Sequence, residues 1–230
     1  MPAPSSRARL LVSMLLSPCA CTFPTQILVP DPPAAAAAGS SGPDASISCQ
    51  PGTPPAWSPA WVPPAGASQD QCAAQDLANL YAACFGPDAT SDACASAQNA
   101  NPTCASCVLS ASTDASWGAV VSFSSTTIIN QPGCLALIEP SQTGCAEAAE
   151  AQIECEHAAC DASCPVSDDP SYEAWEQCVA QADEGICAGY DGACLDVATS
   201  TDGGDAGGAA CAGTDFGTAF MNVAMVFCGP

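Results

Sequence analysis

From Gln71 onward the apolar positions of this chain fall into a helical rhythm. In QCAAQDLANLYAACF, Cys72, Ala73, Leu77, Leu80, Tyr81 and Cys84 recur at spacings of three and four, which makes one apolar stripe with polar residues opposite. Near the other end Phe216, Phe220, Val223 and Phe227 recur at four, three and four. That spacing predicts a C-terminal helix whose aromatic face must be buried, too short to span a membrane. Between them GCAEAAEAQIECEHAAC is rich in the good helix formers Ala, Glu and Gln and predicts a long helix over about 142–160. Asn101-Pro102 and Asp169-Pro170 each set a capping residue before a proline suited to the first helical turn, which predicts helices near 102–110 and 170–184. Only 119–129, AVVSFSSTTII, has β-branched residues and partial alternation, a small hairpin or a loop. The fold class expected is mainly α: a disulfide-stapled bundle of small helices with at most a minor β-hairpin.

Before residue 71 the rhythm is absent, and the chain divides into two further stretches. Residues 1–20 read as a signal peptide: Arg7 and Arg9 in the positive n-region, Leu10 to Leu16 (LLVSMLL) as the apolar h-region, then small residues. A membrane span is the rival reading, but Pro18, Pro24 and Pro30 would interrupt a helix that barely has the length. Leu16-Ser17-Pro18-Cys19 resembles the lipobox of bacterial lipoproteins with a proline before the cysteine, and Pro18-Cys19-Ala20-Cys21 offers a second register. Lipidation at Cys19 or Cys21 is thus an alternative to plain cleavage near Ala20. Residues 21–70 are dominated by Pro, Ala, Ser and Gly, a composition of disordered or extended linkers. Cys49, Trp57 and Trp61 stand out from it and suggest that part of the linker folds back on the 71–230 domain, with Cys49 crosslinked.

Composition narrows the compartment. Of 230 residues 48% are hydrophobic, enough for a packed core, and 18 are cysteine. Sixteen of these lie from Cys49 onward, an even number, and are expected to form disulfides whose pairing spacing does not reveal: Cys49, Cys72, Cys84, Cys94, Cys104, Cys107, Cys134, Cys145, Cys155, Cys160, Cys164, Cys178, Cys187, Cys194, Cys211 and Cys228. So many crosslinks point outside the cytoplasm: extracellular, or at an outer surface or in a periplasm if the chain is lipid-anchored.

Charge removes whole classes of chemistry. There is no lysine, both arginines lie in the leader, and all 24 carboxylates lie beyond residue 30. A mature chain without Lys or Arg cannot neutralise phosphates or bind anionic lipid through a polybasic patch, so nucleic acid is not its partner. It also lacks the arginine clamp, the P-loop lysine and the Schiff-base lysine. Falling pH should relieve the self-repulsion of this acidic chain as it nears the sequence pI of 4.1.

The remaining candidate chemistry is sparse. The one histidine, His157, lies three residues before Cys160 and so resembles the secreted phospholipase A2 motif in that spacing alone. That family has adjacent cysteines before its histidine and an aspartate directly after it, where this chain has a single Cys155 and Ala158. No glycine-rich calcium loop lies upstream. The reading preferred is a helix-surface histidine whose charged form Glu154 and Glu156 favour. Cys104-Ala105-Ser106-Cys107 has the spacing of a redox pair or half a zinc site, but without the thioredoxin-like context or reduced thiols those need. Asp202 to Gly208 (DGGDAGG) and Asp168-Asp169 could offer oxygens to calcium, without the ordered ligand spacing of an EF-hand. No Gly-x-Ser-x-Gly elbow occurs, and the single Asn-x-Thr triplet, Asn101-Pro102-Thr103, carries the forbidden proline.

Taken with the leader and linker, the cysteine rhythm, including Ala83-Cys84-Phe85-Gly86 and Asn130-Gln131-Pro132-Gly133-Cys134, resembles the Ala- and Cys-rich extracellular proteins of some high-GC bacteria over roughly residues 71–230. The resemblance is architectural. It implies an exported helical scaffold and carries over no functional residue. The function expected is a secreted or surface-tethered binding or structural module, without cofactor and not an enzyme. The alternative is a small secreted hydrolase using His157, calcium-assisted, on lipid or ester substrates.

Overall fold

The computed structural model describes residues 49–53, 59–68, 70–124, 126–190 and 210–230. The leader, Cys19 and Cys21, most of the linker with Trp57, Cys194 and the 202–208 glycine-aspartate stretch lie outside the described residues. The body is mainly helical: α1 (Ala74–Cys84), α2 (Ser91–Ala100), α3 (Pro102–Val108), α4 (Gln131–Ile138), α5 (Thr143–Cys160), α6 (Asp169–Glu184) and α7 (Phe216–Cys228). A small sheet of β1 (Leu109–Ala111), β2 (Val120–Ser122) and β3 (Thr127–Ile129) sits between α3 and α4.

The helices form where local chemistry starts them. Asn101 caps α3 by accepting from the Cys104 N–H at 3.3 Å, with Pro102 in the first turn. Helix α6 is capped one residue earlier than expected: the Asp168 carboxylate accepts from the Ser171 N–H at 3.0 Å. Thr90 caps α2 through the Ala93 N–H at 3.2 Å. Buried Asn130 caps α4 through the Gly133 N–H at 2.8 Å and donates its amide to the Gly118 carbonyl at 2.9 Å, which ties helix start to sheet.

Two apolar cores result. In the first, Leu77, Leu80 and Cys84 of α1 and Val108 of α3 meet Phe216, Phe220, Val223 and Phe227 of α7, with Val120 beneath. Tyr81 and Phe85 pack tilted against Phe220 at 5.4 and 5.5 Å between centroids. Each fully buried phenylalanine is worth about 1.5–3 kcal/mol, so the aromatic face of α7 anchors this half. The second core lies between α5 and α6, where Cys155, Ala159 and Cys160 meet Trp175, Cys178 and Ala182. Strand order is β1-β2-β3, with β1 parallel to β2 in the register Leu109↔Val120 and β2 antiparallel to β3 in the register Val120↔Ile129. The hairpin expected over 119–129 is there. A third strand, β1, adds to it in parallel, and just before β2 a Cβ at Gly118 would come within 2.7 Å of the Cys107 carbonyl, so only glycine fits this close to α3.

The linker residues that are described form no helix, and they are bound to the body. The Gly52 N–H donates to the Ala159 carbonyl at 2.8 Å. Residues 63–65 bridge Trp117 through Trp117 N–H to the Pro63 carbonyl at 3.1 Å and Ala65 N–H to the Trp117 carbonyl at 2.8 Å. The N–H groups of Ser68, Asp70 and Cys72 then donate at 2.7, 2.9 and 2.8 Å to the carbonyls of Phe227, Gly229 and Cys228. These are carbonyls a helix C-terminus leaves unpaired, so the strap caps α7. Asp70 holds a left-handed φ of 65°, a conformation aspartate tolerates better than most residues.

Disulfides staple the elements pairwise: Cys72–Cys104, Cys84–Cys94, Cys107–Cys228, Cys134–Cys211, Cys155–Cys187 and Cys160–Cys178. Cys145 is disulfide-bonded as well. Every helix from α1 to α7 thereby carries a half-cystine. The pairing is nested in both halves: Cys84–Cys94 lies inside Cys72–Cys104, and Cys160–Cys178 inside Cys155–Cys187, each outer pair 32 residues apart. The two halves thus share a topology that their unequal spacings conceal.

Candidate functional site

The residue richest in chemistry, His157, is placed otherwise than its flanking glutamates suggest. It is 4% exposed, so the surface position expected for it is corrected: it lies in the interior. The reason is that α5 is covered on several sides, by the strap, by the β2–β3 turn and by α6. Phe123 stacks on the imidazole with centroids 3.7 Å apart and planes 4° from parallel, and Trp175 leans against it at 5.3 Å. Its Nδ1 lies 3.0 Å from Asp161 Oδ1 and 3.3 Å from Thr126 Oγ1.

Asp161 is the hub of this cluster. It also accepts from Trp175 Nε1 at 3.0 Å and from Ser124 Oγ at 3.2 Å. Burial alone would raise its pKa, but the His157 hydrogen bond and charge, with those from Trp175 and Ser124, outweigh burial and hold it below the usual 3.8. The arrangement does not match a nucleophile-histidine-aspartate relay. In such a relay the acid orients one ring nitrogen while the other faces the hydroxyl, whereas here Asp161 and Thr126 converge on the same Nδ1.

A second set of carboxylates lines α5, Glu150 and Glu154 facing the strap and Glu156 facing α6. Glu150 is 1% exposed, accepts from the Val62 N–H at 2.6 Å, and leaves Oε2 without a partner among the described residues. Burial pushes its pKa up to about 8, opposed by the Val62 hydrogen bond and aided by the charges of Glu154 and Glu147. Glu154, one turn on, accepts from the Ala60 N–H and is raised as well, again chiefly by burial. Glu156 is raised well above 4.5 by burial and by the Asp183 carboxylate it faces across α5 and α6, with Gln152 bridging to Asp183 at 3.2 Å. Holding a proton is how a chain without lysine buries such acids.

The other residues singled out in the sequence fall as follows. Cys104 and Cys107 go to different partners, Cys72 and Cys228. Asp168 is occupied by the α6 cap, where the Ser171 hydroxyl and N–H lower its pKa. Among the described residues no group of three or more His, Cys, Asp or Glu side chains is placed to hold a metal ion, and no helix is long and apolar enough to cross a membrane. Cys49 and Cys164 are free thiols, both buried. Sequence reasoning missed Asp161 and Trp175, which carry the polar core around His157. Asp161, four residues after His157 at the end of the helix expected over about 142–160, offered an i,i+4 spacing as the signal available for it.

No protein family, curated protein or solved structure matches the chain. Fold and chemistry therefore define only its class: a mainly helical, cysteine-rich domain stapled by disulfides, a construction that fits an oxidising environment.

Proposed function

We propose that the chain is an exported binding or structural module, cleaved after its leader or held at a surface by lipid at Cys19 or Cys21, and not an enzyme. The observation that carries the reading is that every helix from α1 to α7 is tied by a disulfide, which suits a scaffold that must persist where no chaperone maintains it. The polar residues gathered around His157 support it too: their hydrogen bonds are directed at one another and their faces at Phe123 and Trp175, as in a satisfied interior.

The hydrolase alternative draws no support from the placement of Thr126 and Asp161 on one nitrogen. The test is turnover of generic ester and lipid substrates by the purified chain, with and without calcium, beside His157→Gln. No turnover above background in either protein is the expected result. Turnover in the wild type, lost in His157→Gln while its near-ultraviolet spectrum stays native, would establish the hydrolase instead.

A further inference from the structure

We propose that Cys49 and Cys164 are the site of a further disulfide, which latches the N-terminal strap onto the α5–α6 hairpin. Cys49 is 7% and Cys164 1% exposed, and both belong to the core built by Trp175, Cys160 and Cys178. Cys164 is the neighbouring thiol that, after burial, raises the Cys49 pKa. The backbone around them is already docked: Ser163 Oγ donates to the Gln50 carbonyl at 3.0 Å, and the Gly52 N–H to the Ala159 carbonyl at 2.8 Å. Two thiols held side by side by their neighbours' backbones, with the other described cysteines paired, need only an oxidant.

The reaction is thiol–disulfide exchange with an external disulfide, such as an oxidised dithiol catalyst or a glutathione-type disulfide. One thiol loses its proton and attacks the external disulfide, forming a mixed disulfide and releasing one external thiol. The second loses its proton and attacks the bound sulfur, forming the Cys49–Cys164 bond and releasing the second external thiol. The protein gives up two hydrogens and the external disulfide takes up two. Burial and the neighbouring thiol push Cys49 up to about 11, so its thiolate is scarce while the strap is docked. The latch therefore closes more slowly than thiols that react in the open chain.

The inference rests on the export reading, and one experiment separates the two. The full chain, taken from the host's exterior or refolded with oxidised and reduced glutathione, is denatured without reductant, alkylated and digested with pepsin at acid pH. Trypsin has no site beyond Arg9. The expected result is a peptide pair joining Cys49 to Cys164 and no alkylated cysteine. In Cys49→Ser and in Cys164→Ser the remaining partner takes one alkyl group, and both variants lose amide-exchange protection at Gly52 by tenfold or more. Alkylation of both residues in wild type, with the other disulfides formed, overturns the latch and leaves the export reading standing. Pairing of either cysteine with a different residue overturns it as well. Free thiols throughout overturn both.

Discussion

Replacing Glu150 by Gln should raise stability at pH 8 and leave it nearly unchanged at pH 5. The Glu150 carboxyl is buried under the strap with one oxygen on the Val62 N–H and the other without a partner among the described residues. In the folded chain it keeps its proton to about pH 8, and in the unfolded chain it loses it near 4.5. Its raised folded pKa means that its stabilising contribution is fully present below 4.5 and is lost as pH climbs toward 8, because the unfolded state releases a proton that the folded state must retain. At about 1.4 kcal/mol per pH unit, the interval from 4.5 to about 8 sets a ceiling near 5 kcal/mol. Relaxation of the strap around the charged form reduces this, so about 2–3 kcal/mol is the loss to expect between pH 5 and pH 8. The amide introduced by Glu150→Gln would keep an acceptor for Val62 without a titrating proton, so the variant's stability should not fall by this amount. Guanidinium unfolding with disulfides intact, followed by tryptophan fluorescence at several pH values, measures the difference. A variant midpoint higher by about half a molar at pH 8, converging on wild type at pH 5, is the outcome derived. Parallel curves for the two proteins from pH 5 to pH 8 would refute the claim that Glu150 is buried with its proton.

Three other perturbations probe separate parts of the structure. Asp161→Asn removes the charge that His157 and Trp175 converge on and should cost about 2–4 kcal/mol at pH 6 by chemical denaturation. Because the folded pKa of Asp161 is depressed, its contribution is present above 3.8 and disappears as pH falls through the lower folded value, so the wild-type penalty at pH 2.5 should be absent from the variant. Asn130→Ala breaks the α4 cap and the bond to Gly118 in a dry site and should cost about 2–4 kcal/mol, with amide-exchange protection lost first at Gly133. Removing Cys107–Cys228 by paired serines, a separation of 121 residues, should lower the melting temperature more than removing Cys84–Cys94, a separation of 10. The longer loop restrains the unfolded chain by about 4–5 kcal/mol against about 2–3, somewhat less where other crosslinks already shorten it.

Much of the helical framework was legible because it rests on local signals. Phe216, Phe220, Val223 and Phe227 mark α7 and bury the face they predict, and Asn101-Pro102 starts α3 where it should. Helix α4 was missed although Asn130-x-Pro132 carries the same capping logic, because QPGCLALI is apolar on every side and shows no stripe. Helix α2 was missed for the opposite reason, having no fully buried residue and hence no face to read. The interior placement of His157 was not legible. Glu154 and Glu156 beside it look like surface residues until the strap and Asp183 cover them, and those contacts span dozens of residues. Disulfide pairing was hidden for the same reason: the nested pairs appear only once α1–α2 and α5–α6 are folded as hairpins.

Export of a fully crosslinked scaffold is tested most directly by the intact mass of the protein from its native host, before and after reduction and alkylation. The expected result is a chain that begins near residue 20, with or without acyl mass at Cys19 or Cys21, and takes up alkyl groups at the cysteines from Cys49 onward only after reduction. An intact leader on a chain that alkylates without reductant would contradict it.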